Sequence, residues 1–275
     1  MRIYLINLAR RPDRLAAMQG EAMGLTLTRV EAVDAAAADA GTVDRWFAPN
    51  DVKGGGPLGE IPRGDKCCLL SHRRAWEIFV ASGDAHAVFL EDDVRLSSSA
   101  GALLTSDSWI PAGAEVIKLE HYGPPGQRVL LANLRALSMA PPRQAATARG
   151  EDFAMGAMLS RHTGAAAYIL SRGAAQALLG ESRFNLPVDH LLFNPNNSAM
   201  FISLAPWQLV PAIARQKEFV GEKSDIDGTR APLRRLSWTY IRREVVRFAY
   251  DLRLLPHQFL AIRRGAKFVA MKTAD

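Results

Sequence analysis

The sequence predicts an α/β fold, a mostly parallel sheet flanked by helices, with a basic amphipathic helical tail behind it. Three observations carry that expectation. Short continuous apolar runs, the pattern of strands covered on both faces, alternate with stretches of helical periodicity. The order reads strand, helix, loop, helix, strand, then two further strands and a helix. Residues 230–275 then change character, mixing arginines with large apolar side chains.

"RIYLINL" (2–8) is a compact apolar run and reads as the first strand. "RRPDRLAAMQGEAM" follows, with Pro12 suited to a first helical turn and Leu15, Met18 and Met23 near helical spacing. Residues 34–66 end as a loop: "PNDVKGGGPLGEIPRGD" concentrates turn formers, and Gly54-Gly55-Gly56 predicts flexibility. "KCCLLSHRRAWEIFVAS" (66–82) has a broad apolar face and a C-capping glycine, Gly83. "HAVFL" (86–90), "AEVIKLE" (114–120) and "GAAAYILS" (164–171) read as strands, and "RGAAQALLG" (172–180) as a helix stopped by Gly180.

With 275 residues, 48% hydrophobic and 23% charged, the chain can bury a sizeable core. Its two cysteines, Cys67 and Cys68, are adjacent, which suits neither a structural disulfide nor a zinc site and points to a reducing cytoplasm. No secretory leader and no membrane-spanning helix are expected. The net charge of +6 is concentrated in residues 230–275, where eleven Lys/Arg face three acids, leaving the body slightly acidic.

In parallel sheets ligands bind beyond the carboxyl ends of the strands, which puts Asn7 to Arg14 and the triplet Glu91-Asp92-Asp93 on one edge. Adjacent carboxylates repel and are costly to desolvate, so the triplet needs a cation or abundant water. In an extended segment Glu91 and Asp93 share a face and Asp92 points away. An acid-x-acid pair suits Mn2+ or Mg2+; a solvated acidic turn is the alternative. Arg10, Arg11 and Arg14 could bind phosphates bidentately or simply decorate a helix start with Asp13 as counterion. Ser71-His72 makes no triad, a lone helical histidine is more often structural, and the cysteines read as core. Asp189, in "LPVDHLLF", is either a carboxylate with a raised pKa suited to a general base or the N-cap of a short helix.

Taken together, "YLINLARRPDRL", "EIPRGDKCCLLSHRRAWEIFVASGDAHAVFLEDDVRL", "EVIKLE", "GAAAYILSRGAAQALL", "LPVDHLLF" and "PAIARQKEF…SDI" occur in the order found in glycosyltransferase family 25. The resemblance covers about residues 2–227. That family includes bacterial lipooligosaccharide glycosyltransferases and is similar to β-1,4-galactosyltransferases. The resemblance implies a GT-A-like domain over 1–229, a UDP-sugar donor with galactose as the family's usual sugar, a divalent metal and inversion at the anomeric carbon. Carried over, Glu91 and Asp93 are the metal and diphosphate residues, Asn7, Arg11, Arg14 and Asp92 bind the donor nucleotide, and Asp189 is the base or an acceptor contact. One departure is "DKCC", where the family often has glycine before the helix cysteine.

The resemblance further implies a glycan or glycolipid acceptor, such as lipopolysaccharide. In the 230–275 tail, arginine pairs interleave with Trp238, Tyr240, Ile241, Val245, Phe248 and Leu252, so a helix there would suit an anionic membrane surface or pack on the catalytic domain. A cytoplasmic protein, peripheral on the inner face of the membrane, is therefore expected, with no nucleic-acid partner. A nucleotidyltransferase or phosphohydrolase, and a non-catalytic nucleotide-sugar-binding module, are the competing functions.

Overall fold

The computed structural model describes residues 1–22, 24–48, 60–124, 126–137, 152–217 and 238–274. The strands are β1 (Arg2–Asn7), β2 (Leu27–Glu31), β3 (His86–Glu91), β4 (Val94–Leu96), β5 (Val116–Lys118), β6 (Glu120–His121), β7 (Arg128–Ala136), β8 (Ala154–Met158), β9 (Ala167–Ser171), β10 (Trp207–Val210), β11 (Ala214–Gln216) and β12 (Lys267–Ala270). The helices are α1 (Pro12–Glu21), α2 (Ala40–Asp44), α3 (Arg63–Ser82), α4 (Ala100–Leu104), α5 (Arg172–Leu179), α6 (Val188–Phe193), α7 (Ala199–Leu204) and α8 (Trp238–Arg263). The glycine triplet at 54–56 lies outside the described residues.

The main sheet has nine strands in the order β12-β7-β8-β10-β5-β9-β3-β1-β2. It is mixed, which corrects the expectation of a mostly parallel sheet. β1 pairs in parallel with β2 and β3, and β5 with β10. The other neighbouring pairs are antiparallel, because β9 enters between β3 and β5 in the opposite sense and β8 and β12 do the same further along. A continuous apolar run reports burial on both faces, not strand direction.

That double burial is visible along β1 and β3. Tyr4, Ile6 and Phe89 pack on one face with Trp76 and Phe79 of α3. Ile3, Leu5, Val88 and Leu90 pack on the other with Met18 of α1 and Leu103 and Leu104 of α4. Gly83 ends α3 in the left-handed region at φ 81°, where its N–H meets the Val80 carbonyl.

β1, β3 and β5 run in one direction, so Asn7, Glu91 and Lys118 finish on the same edge. β4 and β6 follow β3 and β5 past that edge and join β11 in a three-stranded sheet, order β4-β11-β6. The tail is not helical throughout. After α8 the chain turns at Gly265, φ 98°, and β12 pairs antiparallel with β7 at the sheet margin. Met271 and Ala274 are buried, and the Ala274 N–H bonds the Ala212 carbonyl at 2.7 Å.

Candidate active site

The acidic triplet occupies the exit of β3. Strand geometry stops at Glu91, and Asp92 and Asp93 form the turn into β4. The alternation that would give Glu91 and Asp93 a common face therefore does not extend through the triplet; the turn sends its three carboxylates to three environments.

Asp92 is buried and faces β1 and α1. The Asn7 amide donates to its Oδ2 at 2.7 Å, and the Arg14 guanidinium meets its Oδ1 at 3.2 Å. Asn7 also donates to the Arg11 carbonyl at 2.9 Å and accepts from Arg29 Nε at 2.9 Å. Asn7, Arg14 and Asp92 thus come together as expected, but as one network that ties the turn to β1 and α1. The Arg11 guanidinium lies outside it, paired with Asp13 at 2.7 Å, and that pair holds the Asp13 carboxyl down at about 2.

Glu91 faces α3. The Trp76 indole N–H donates to the Tyr168 hydroxyl at 2.9 Å, and that hydroxyl is 2.7 Å from His72 Nδ1. A tyrosine already accepting from Trp76 gives its own proton to Nδ1, which leaves Nε2–H to donate to Glu91 Oε1 at 3.0 Å. Burial drives the His72 pKa down to about 3, so the imidazole is neutral. The Cys68 thiol, 3.6 Å from the same oxygen, also donates to it. Burial and then the neighbouring Asp92 charge raise Glu91 to about 7.

From the sequence alone His72 reads as structural and Cys68 as core. Their spacing, four residues apart on one helix face, was the available signal. The donor atoms of Cys68, His72 and Glu91 lie within 4.8 Å of one another. A thiol and an imidazole suit zinc better than Mn2+ or Mg2+, and here the thiol and the imidazole each donate to the same Glu91 oxygen.

Asp93 is the carboxylate without such support. Its Oδ1 is buried and has no hydrogen-bond partner among the described residues, while its backbone carbonyl accepts from Lys217 N–H at 2.8 Å. Burial, and next the charge of Glu91, push its pKa well above the usual carboxylate range. An orphaned carboxylate oxygen beside a second repelling carboxylate is a donor set that fits a hard divalent cation.

Two further charged groups missed in the sequence complete the edge. Lys118 Nζ and Glu120 Oε1 are 2.8 Å apart and both side chains are fully buried. Lys118 also donates to the Gly164 carbonyl and sits 4.4 Å over the Phe193 ring. The "KLE" order was the signal, since alternate residues of an extended chain share a side. Phe193 belongs to α6, which carries Asp189 in its first turn; the N-cap of α6 is Pro187, so Asp189 is not the cap. The Asp189 charge reaches the pKa values of Cys68, His72, Glu91 and Lys118, which places it at the same edge as the triplet.

Comparison with known proteins adds an independent line. The model of "Glycosyltransferase family 25 (LPS biosynthesis protein)" matches residues 1–192. The lacto-N-neotetraose biosynthesis glycosyltransferase LgtB of Neisseria gonorrhoeae is 29% identical over 165 residues, 56% of this chain and 53% of that protein. The lipooligosaccharide biosynthesis protein lex-1 of Haemophilus influenzae is 29% identical over 168 residues, 57% of this chain and 50% of that protein. The inactive glycosyltransferase 25 family member 3 of Homo sapiens is 34% identical over 104 residues, 35% of this chain and 17% of that protein. The matched region is about half the length of the two bacterial relatives.

Proposed function

Since the chain belongs to glycosyltransferase family 25, we propose that it is an inverting glycosyltransferase moving a sugar, galactose being the first to test, from a UDP-sugar to a lipopolysaccharide or other surface-glycan acceptor. The observation that carries this reading is the buried Asp93 oxygen, without a partner among the described residues, beside Glu91 at the shared ends of β1, β3 and β5. The bacterial relatives named for lipooligosaccharide biosynthesis support the choice of acceptor class.

In this mechanism Glu91 and Asp93 would hold Mn2+ or Mg2+, and the bound ion would supply positive charge against the departing diphosphate. The chain's own groups do the rest. Asn7 and Arg14 lock Asp92 and so fix the turn that presents Asp93. The Tyr168–His72 pair and Cys68 hold one oxygen of Glu91, so its carboxylate is oriented before donor arrives. Arg11, at the exposed start of α1, turns from Asp13 to the diphosphate. Asp189 takes the proton of the acceptor hydroxyl as that oxygen attacks the anomeric carbon from the face opposite UDP. A GT-A-like fold goes with this reading, and the mixed sheet flanked by helices is compatible with it.

The test is a UDP-release screen across several UDP-sugars with Mn2+ and an acceptor extract. Acceptor-dependent UDP release supports the reading. Release of pyrophosphate or phosphate instead would mean a nucleotidyltransferase or phosphohydrolase. UDP-sugar binding without turnover would mean a binding module, the case that the human relative named inactive brings to mind.

A further inference from the structure

The exposed large apolar residues are concentrated on α8. Val245, Phe248, Leu252, Leu255, Phe259 and Ile262 recur at alternating spacings of three and four, and Val245, Phe248 and Phe259 are each more than 60% exposed. That spacing gathers them into one stripe along the helix. Globular proteins rarely leave such a continuous apolar row in water without a partner for it.

The surroundings of the stripe say what that partner is. On one side, Asp251 bonds Asn196 and Gln258 donates to the Leu159 carbonyl at 2.9 Å, so this edge of α8 is seated on the body. On the other side lie Arg253 and Arg264, eleven residues apart and hence on one line of the helix, with Arg263 nearer the stripe; all three are exposed. The apolar row therefore lies between a seated edge and an arginine edge. The surface turned away from the body is apolar and cationic together.

We propose that this face of α8 docks on an anionic lipid bilayer, with the apolar row in the interface and the arginines at the level of the headgroups. Guanidinium groups on long stems can remain with lipid phosphates while the neighbouring apolar side chains sink beside them. A second copy of the chain fits less well. Residues 230–275 carry eleven basic and three acidic residues, so stripe-to-stripe pairing would bring two strongly cationic segments together, whereas an anionic surface neutralises them. No described helix is long and apolar enough to cross a membrane, so the contact is a surface one. The proposal stands on the exposed face and not on the transfer reaction.

The test uses the full chain and phosphatidylethanolamine vesicles with and without phosphatidylglycerol, without donor or acceptor. The expected result is co-sedimentation with the anionic vesicles, weakened by added salt. A Phe248→Ser/Phe259→Ser variant, altered only at exposed positions, should lose about tenfold or more in partitioning, while its circular dichroism and melting stay unchanged. Arg263→Gln/Arg264→Gln should reduce the preference for anionic over neutral vesicles. Absence of wild-type binding, equal binding by the phenylalanine variant, or a dimer in solution that this variant converts to monomer would each overturn the proposal.

Discussion

The two neighbouring aspartates of the triplet should have opposite effects on stability. Asp92 accepts from Asn7 and Arg14 in a pair whose side chains are each only 10% exposed. Replacing it with alanine takes a buried carboxylate acceptor from both the Arg14 guanidinium and the Asn7 amide, a loss of roughly 3 kcal/mol, the lower end for breaking a buried pair because each donor keeps other contacts. Asp93 has the reverse balance. Its Oδ1 is buried without a partner among the described residues and its pKa is raised, first by burial and then by Glu91. A carboxyl whose folded pKa lies above its unfolded value stabilises fully only when protonated, and that contribution is lost as pH rises. Asp93→Asn should therefore stabilise the metal-free protein by on the order of 1–3 kcal/mol at about pH 7, with the advantage shrinking toward the unfolded aspartate pKa. Urea unfolding followed by circular dichroism in EDTA measures both. Near-wild-type stability of Asp92→Ala, or a less stable Asp93→Asn, would refute the assignment of one as anchor and the other as uncompensated ligand.

Lys118→Met should cost about 3–5 kcal/mol by leaving Glu120 buried without its partner, and adding Glu120→Gln should recover most of that loss in the same unfolding assay. Tyr168→Phe removes the hydroxyl shared by Trp76 and His72, so unfolding should show a loss of about 2 kcal/mol. His162, bonded to Gln208 at 2.7 Å, is held by burial at about 3, below its unfolded value near 6.5. Its contribution is complete above the unfolded value and is lost as pH falls toward 3. The stability of wild type relative to His162→Gln should thus drop by about 2 kcal/mol between pH 6.5 and 5, and a pH-independent difference would contradict this.

Much of this arrangement was legible in the chain. Apolar runs located β1, β3, β5 and β9, and Pro12 and Gly83 marked a helix start and a helix end. The meeting of Asn7 and Arg14 with the triplet followed from strand ends sharing an edge. Strand direction was not legible, since Ala167–Ser171 is apolar on both faces whichever way it runs. Nor were the environments of the three acids: alternation describes extended backbone, and Asp92 and Asp93 sit in a turn. His72, Lys118 and Glu120 escaped because a buried polar residue owes its meaning to partners far away in sequence, Tyr168 for the first and Gly164 for the second. The end of the tail escaped for the same reason, because β12 is a strand only by virtue of β7.

Asp93, with Glu91, is proposed to hold a divalent cation together with the donor diphosphate. Mn2+ binding measured by electron paramagnetic resonance, with and without UDP, tests it most directly in wild type and Asp93→Ala. The account predicts that UDP tightens Mn2+ binding to wild type and that Asp93→Ala weakens it by about 100-fold or more while the far-ultraviolet circular dichroism is unchanged. Mn2+ binding by Asp93→Ala equal to wild type, with the same response to UDP, would contradict it.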